Sequence, residues 1–173
     1  TPKLTGEQDD FFKKYLDNYG YDDLLLIHPQ GEIFYTVKHE EDVNYATNIL
    51  NGKYADSQLG KLVQTVLQTR TFGMSDYALY APSNNEPSAF IAQPLLDQAG
   101  QVELVVVLQL HHTFMNKIMH TRAGMGDSGE AYLVGADKLM RSDSVLDSNN
   151  FSVENSFAHP LQNSVDTVSS RAA

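Results

Sequence analysis

Apolar residues along this chain follow two periodicities. Phe11, Phe12, Tyr15, Leu16 and Tyr19 recur at helical spacing. Thr5 and Gln8 ahead of them have capping-box spacing, Glu7, Asp9 and Asp10 suit the positive end of a helix dipole, and Gly20 is a stop signal. Residues 24–27 are then continuously apolar, Pro29 and Gly31 mark a tight turn, and residues 33–37 return as a second strand. Beyond a polar loop through Asn51 and Gly52, Leu59, Leu62, Val63, Val66 and Leu67 outline the clearest amphipathic helix of the chain. Strand patterns follow at 77–81, 89–95 and 102–110, separated by the turn-rich "PSNNEP" and "DQAG". A short helix is predicted over 113–122, with Gly124 just past its end.

The order helix, strand, strand, helix, three strands, helix predicts an α+β domain with a five-stranded antiparallel sheet flanked by helices. The pattern then restarts. "AYLVGADKLMRSDS" repeats the strand, turn, strand arrangement of "LLLIHPQGEIFYTV". The remainder, rich in Ser, Asn and Asp, has no second meander. It reads as the start of a second module, with 145–173 as its least organised part, or as an extension packed on the first module. The organisation expected is an N-terminal helix at 1–20, a first module at 21–123, and a junction with a truncated second module at 124–173.

Composition narrows the chemistry. The chain has 173 residues and a formal charge of −10, with basic residues only singly or in pairs. That argues against a nucleic-acid partner, which needs Lys/Arg patches. Zero cysteine removes disulfides, thiolate metal sites and cysteine nucleophiles. No apolar run approaches the ~20 residues that span a bilayer. The chain begins at Thr1 and reads as a piece of something longer.

"GMGDSGEAYLVG" contains G-x-G-x-x-G at Gly124, Gly126 and Gly129. A dinucleotide site needs those glycines after a strand and before a helix. Here the predicted order is reversed, so the glycines read as a connector and no nucleotide cofactor is expected. His111, His112 and His120 lie close in sequence, but without carboxylates at ligand spacing they read as surface residues rather than a metal site. "GDSG" has none of the cysteines or the length of a chymotrypsin-like protease, and no G-x-S-x-G elbow is present, so no catalytic residues are assigned. The candidate ligand site is instead Asp76, Tyr80, Ser83 and Phe90, around one strand pair. Alternation puts Asp76 and Tyr80 on one face, and Tyr35 and Gln109 join them if register allows. Asp76 would accept from a ligand amine or hydroxyl, with Tyr80 and Phe90 as apolar walls. The opposing reading makes Asp76 a strand cap and the tyrosines packing residues. Lys38, Asp42, Thr47 and Asn48 form a polar loop that either closes over a ligand or is simply solvated.

"GMGDSGEAYLVGADKLMRSDS" resembles the junction between modules in Cache-type, PAS-like (double Cache) extracytoplasmic sensor regions of bacterial methyl-accepting chemotaxis proteins, sensor kinases and cyclases. "YGYDDLLLIHPQGEIFYTVKHEEDVNYATNIL", "DYALYAPSNNEPSAFIAQPLL" and "LVVVLQL" resemble the strands of the membrane-distal module. Lys138 departs from the pattern, standing where similar sequences often have Gly. The resemblance implies a PAS-like Cache fold without a cofactor. It implies the periplasmic part of an inner-membrane chemotaxis receptor that signals by conformational change on binding a small molecule, such as an amino acid, organic acid or amine. A homodimer is compatible with it. The alternatives are the sensor domain of a histidine kinase or nucleotide cyclase, or a dimerisation module that binds nothing.

Overall fold

The computed structural model describes residues 6–38 and 48–167. Contacts divide the chain into two compact units, Thr1–Leu110 and His111–Ala173.

The first unit is built on an antiparallel sheet. Helix α1 (Gly6–Tyr19) is followed by β1 (Asp23–Ile27), β2 (Ile33–Thr36), helix α2 (Gln58–Thr69), β3 (Gly73–Met74), β4 (Ala78–Tyr80), a 3₁₀ turn (Ala81–Ser83), β5 (Glu86–Leu96) and β6 (Val102–His111). The strand order is β2-β1-β6-β5-β3, with β4 also paired to β5.

The continuous apolar run of β1 has a simple cause: both faces of the sheet are covered. Leu25 and Ile27 join Phe90, Val105 and Val107 in a core closed by Leu59, Leu62, Val63 and Val66 of α2. Leu24 and Leu26 point the other way, onto Phe12, Tyr15 and Leu16 of α1. Each such buried side chain contributes about 1.5–3 kcal/mol over leaving it in water. Ser57 caps α2, its hydroxyl accepting from the Gly60 N–H, and the helix ends on Arg70 in left-handed conformation. Gly20, at φ 76°, ends α1 by donating to the Leu16 carbonyl, as the sequence suggests. The Thr5 cap lies outside the described residues.

One correction concerns the third strand of the predicted five. Predicted at 77–81, it is present as β4, and a short additional strand, β3, precedes it, which gives six strands. Gly73 pairs with Ala92 and Met74 with Ile91, but Ala78 pairs with Ser88. Three residues on this side therefore oppose two on β5, which is a β-bulge. Ser75 holds it: its N–H donates to the Phe90 carbonyl, and its hydroxyl accepts from the Phe90 N–H at 2.9 Å.

The second unit contains α3 (His112–Met119) and α4 (Val153–Ala158). The predicted strand-turn-strand is present in minimal form as an antiparallel bridge between Val134 and Met140. Lys138 turns it at φ 65°. The tail expected to be loose is packed through Val165: Met140, Val153 and Val165 form a small core with Val134 and Phe157 beside it. Ser156 accepts from the Met140 N–H at 3.0 Å and ties α4 to the hairpin.

Candidate functional site

At one end of the sheet, the face that α2 covers changes from apolar to polar. Asp23 opens β1 and pairs in register with Gln109 near the end of β6. Both share the face of Leu25, Ile27, Val105 and Val107, because they sit two and four residues from them along their strands. Thr36, at the end of β2, donates its hydroxyl to Asp23 Oδ2. Gln109 Nε2 donates to Ser83 Oγ at 2.8 Å and to Ser88 Oγ at 3.0 Å. Thr36, Asp23, Gln109, Ser88 and Ser83 thus form a polar row across four neighbouring strands and the 3₁₀ turn. All five are buried.

Burying a carboxylate there is costly unless it is hydrogen-bonded. Asp23 Oδ1 accepts from the N–H groups of Leu24, Val37 and Lys38, at 2.7, 3.0 and 3.0 Å. Burial raises its pKa above the ordinary carboxylate value; the Thr36 hydroxyl and the Lys38, Leu24 and Val37 N–H groups oppose that rise. Beside it, Lys38 Nζ lies 2.7 Å from Asp22 Oδ1.

The residues proposed from sequence separate into three groups. Ser83 and Gln109 meet directly in the polar row. Tyr80 and Phe90 are buried edge to face, ring centroids 5.0 Å apart, with Tyr54 6.5 Å from Tyr80. They belong to the apolar core next to the row. Asp76 falls within the bulge and is exposed, unlike the other members. Its Oδ1 accepts from the Tyr77 N–H at 2.7 Å. The extra residue at 75–77 means that counting in twos back from Tyr80 no longer fixes its face.

Tyr35 is a correction. It pairs with Leu26, shares its face, and packs under α1, on the opposite side of the sheet from Gln109. Its hydroxyl donates to Asp9 Oδ1 at 2.7 Å, and Lys13 Nζ lies 2.6 Å from Asp9 Oδ2. A register irregularity between Leu26 and Ile27 sets this parity, and sequence spacing does not reveal it. Asp23, Thr36 and Ser88 were missed. A signal existed for Asp23, two residues before Leu25 and four before Ile27 in the same alternation.

In the polar loop, Asn48 Nδ2 donates to the Gln30 carbonyl, and Asn48 Oδ1 accepts from the Leu50 and Asn51 N–H groups. Asn48 is therefore a turn residue. Asp42 and Thr47 lie outside the described residues. A shallow open cleft of about 200 Å³ between α2 and β3 is lined by residues such as Lys61, Thr65 and Ser75, and includes none of the proposed six.

In the second unit, the glycine-rich stretch is a turn. Gly124 and Gly126 have φ of 82° and 67°. The Arg122 guanidinium donates to the carbonyls of Gly126, Asp127 and Gly129, so these peptides are gathered around a cation. No helix starts at Gly129 to receive a phosphate. Glu130 then holds the following loop: its carboxylate accepts from Ser144 Oγ and the Val145 and Leu146 N–H groups. Burial works to raise its pKa, but the Leu146 N–H, Ser144 hydroxyl, Val145 N–H and Arg122 charge together keep it lowered. Among the described residues no three His, Asp or Glu side chains gather as a metal site. No helix among them is long and apolar enough to cross a membrane.

No protein-family model and no curated protein matches the chain. Solved structures do. The extracellular ligand binding receptor from Desulfohalobium retbaense DSM5692 aligns with 84% of this chain and 25% of its own, at TM-score 0.57 and 11% identity. The ligand-binding domain of the Pseudomonas fluorescens chemoreceptor CtaA, in complex with L-isoleucine, aligns with 90% of this chain and 57% of its own, at 0.54 and 17%. That of the Pseudomonas aeruginosa PAO1 amino acid chemoreceptor PctB, in complex with L-Gln, covers 91% and 59%, at 0.53 and 17%. The chain spans less than two thirds of the length of each. What it shares with them is the Cache-type, PAS-like α+β fold.

Proposed function

We propose that this Cache-type fold serves as the ligand-sensing, extracytoplasmic part of a transmembrane chemoreceptor, with the first unit as the sensor and residues 124–173 as the junction and start of a second module. The observation that carries this reading is the polar row of Thr36, Asp23, Gln109, Ser88 and Ser83, on a face that is otherwise core. Ligand sites are mostly apolar surfaces with a few convergent polar groups, and Tyr80 and Phe90 supply the apolar neighbours. The function is binding without chemistry.

The same strands offer a route for the signal. Thr36 faces the row, while its chain neighbour Tyr35 faces α1 and holds Asp9. A ligand that prefers one setting of β2 therefore biases α1 by its differential affinity for the two settings. A thermal-shift screen of amino acids, organic acids and amines tests the reading. A ligand at one hundred times its Kd adds about 2.7 kcal/mol of stability, which moves the midpoint by several degrees. A selective shift with one chemical class supports sensing. A flat response to every class favours a module that binds nothing.

A further inference from the structure

We infer that the Gln109 end of the sheet selects ligands that donate hydrogen bonds, amines above all, and discriminates against carboxylates; this rests on the sensor reading above. The orientation of the Gln109 amide is fixed by its neighbours. Ser88 Oγ donates to the Glu86 carbonyl, so it must accept from Gln109 Nε2. With the second hydrogen of that amide on Ser83 Oγ, the other end of the group is an oxygen. Gln109 is only 2% exposed, yet its Oε1 takes no donor among the described residues. Oε1 is therefore an acceptor left unfilled on the polar row.

Its cross-strand neighbour Asp23 adds a second acceptor. Oδ1 is filled by three N–H groups, but Oδ2 takes only the Thr36 hydroxyl, and a carboxylate oxygen has two acceptor positions. Two acceptors on paired residues suit an ammonium or a pair of N–H or O–H groups.

Among the described residues, no cationic side chain touches either acceptor to balance them for a carboxylate. The single arginine in residues 1–110 is Arg70, which donates to the Gly100 carbonyl and Gln101 Oε1 just before β6 begins. From Val102 to Gln109 is roughly 23 Å of strand, at a rise of ~3.3 Å per residue. Lys38 is committed to Asp22, and Lys53 to the hydroxyl and ring of Tyr54. Residues 1–110 hold seven Lys and Arg against fifteen Asp and Glu, a formal charge of −8. That field favours cations at the site over anions.

Isothermal titration of residues 1–173 with ethanolamine and 1,4-diaminobutane, against acetate and succinate, tests the inference. Saturable heat is expected for the amines only. Gln109→Met should weaken the amines at least tenfold. Gln109→Glu, which keeps the shape and adds acceptor oxygens and a negative charge once the serine hydroxyls turn to donate to it, should retain or tighten them. Tight carboxylate binding without amine binding would overturn the inference and leave the sensor reading standing, as would Gln109→Glu losing the amines while its melting curve is unchanged. If neither these probes nor any compound of the wider screen binds, the sensor reading falls and the inference with it.

Discussion

Asp23 carries the first lesson at the scale of single residues. A sequence reader sees an acid at the mouth of an apolar strand and passes over it, because acids at strand ends are normally solvated. Its neighbours in alternation, Leu25 and Ile27, point into the core, and Asp23 follows them. Gln109 was legible because a Gln inside "VVVLQL" must find partners once buried. Which partners they were, Ser83 and Ser88, depended on strand order. Tyr35 was misplaced because one irregularity between β1 and β2 decides its face. The pKa of Asp23 gives a signed test. Burial raises it from the ordinary 3.8. Its contribution to stability is therefore fully present below the unfolded pKa and lost as pH rises through the higher folded value. Urea melts of wild type and Asp23→Asn between pH 3 and 7 should show the difference between them shrinking as pH rises above about 4. A difference that grows with pH would mean that hydrogen bonding, not burial, governs this carboxyl. Glu130 has the opposite sign: its lowered pKa gives stability that is present above 4.5 and lost as pH falls through the folded value.

Elements were legible where periodicity and caps agreed. The amphipathic stripe of α2 and the meander into β5 and β6 follow directly from spacing. The short β3 and the bulge between it and β4 did not, since a bulge is one extra residue and leaves no mark in hydrophobic pattern. The hairpin turn at Lys138 explains the departure from similar sequences. Lys138 is left-handed at φ 65°, a conformation that costs an L-residue about 1–2 kcal/mol and glycine nothing. Its compensation is an exposed ion pair with Asp166, Nζ to Oδ1 at 2.6 Å. Such pairs contribute only about 0–1 kcal/mol. Both Lys138→Gly and Lys138→Ala lose the pair, but only the alanine keeps the strain. Lys138→Gly should therefore be the more stable of the two by about 1 kcal/mol in thermal melts. Equal stability, or alanine ahead, would show that the turn relaxes.

At the scale of the molecule, the two units differ in how they are held. The first has a sheet with both faces covered, whereas the second, among the described residues, shows a single bridge, two short helices and a small core of Met140, Val153 and Val165. The sequence announced the restart after Gly129 but not how residues 145–165 would pack, because Val153 and Val165 are isolated apolar positions without periodicity. Hydrogen exchange should reflect the difference. The slowest amides are expected in β1 and β6, at Leu25, Val105 and Val107, with Met140 and Ser156 exchanging faster. Uniform protection across both units would mean that they unfold as one body.

The site itself is best tested by nitrogen-edited NMR of residues 1–173, titrated with the strongest binder from the thermal screen. The largest shifts are expected at the Gln109 side-chain amide, at Ser83 and Ser88, and along Thr36 to Lys38, with a smaller response at Tyr35 and Asp9 on α1. Shifts confined to the α1 face of the sheet around Leu108, or to residues 111–173, with the Gln109 amide unmoved, would contradict a ligand site at the polar end of this sheet.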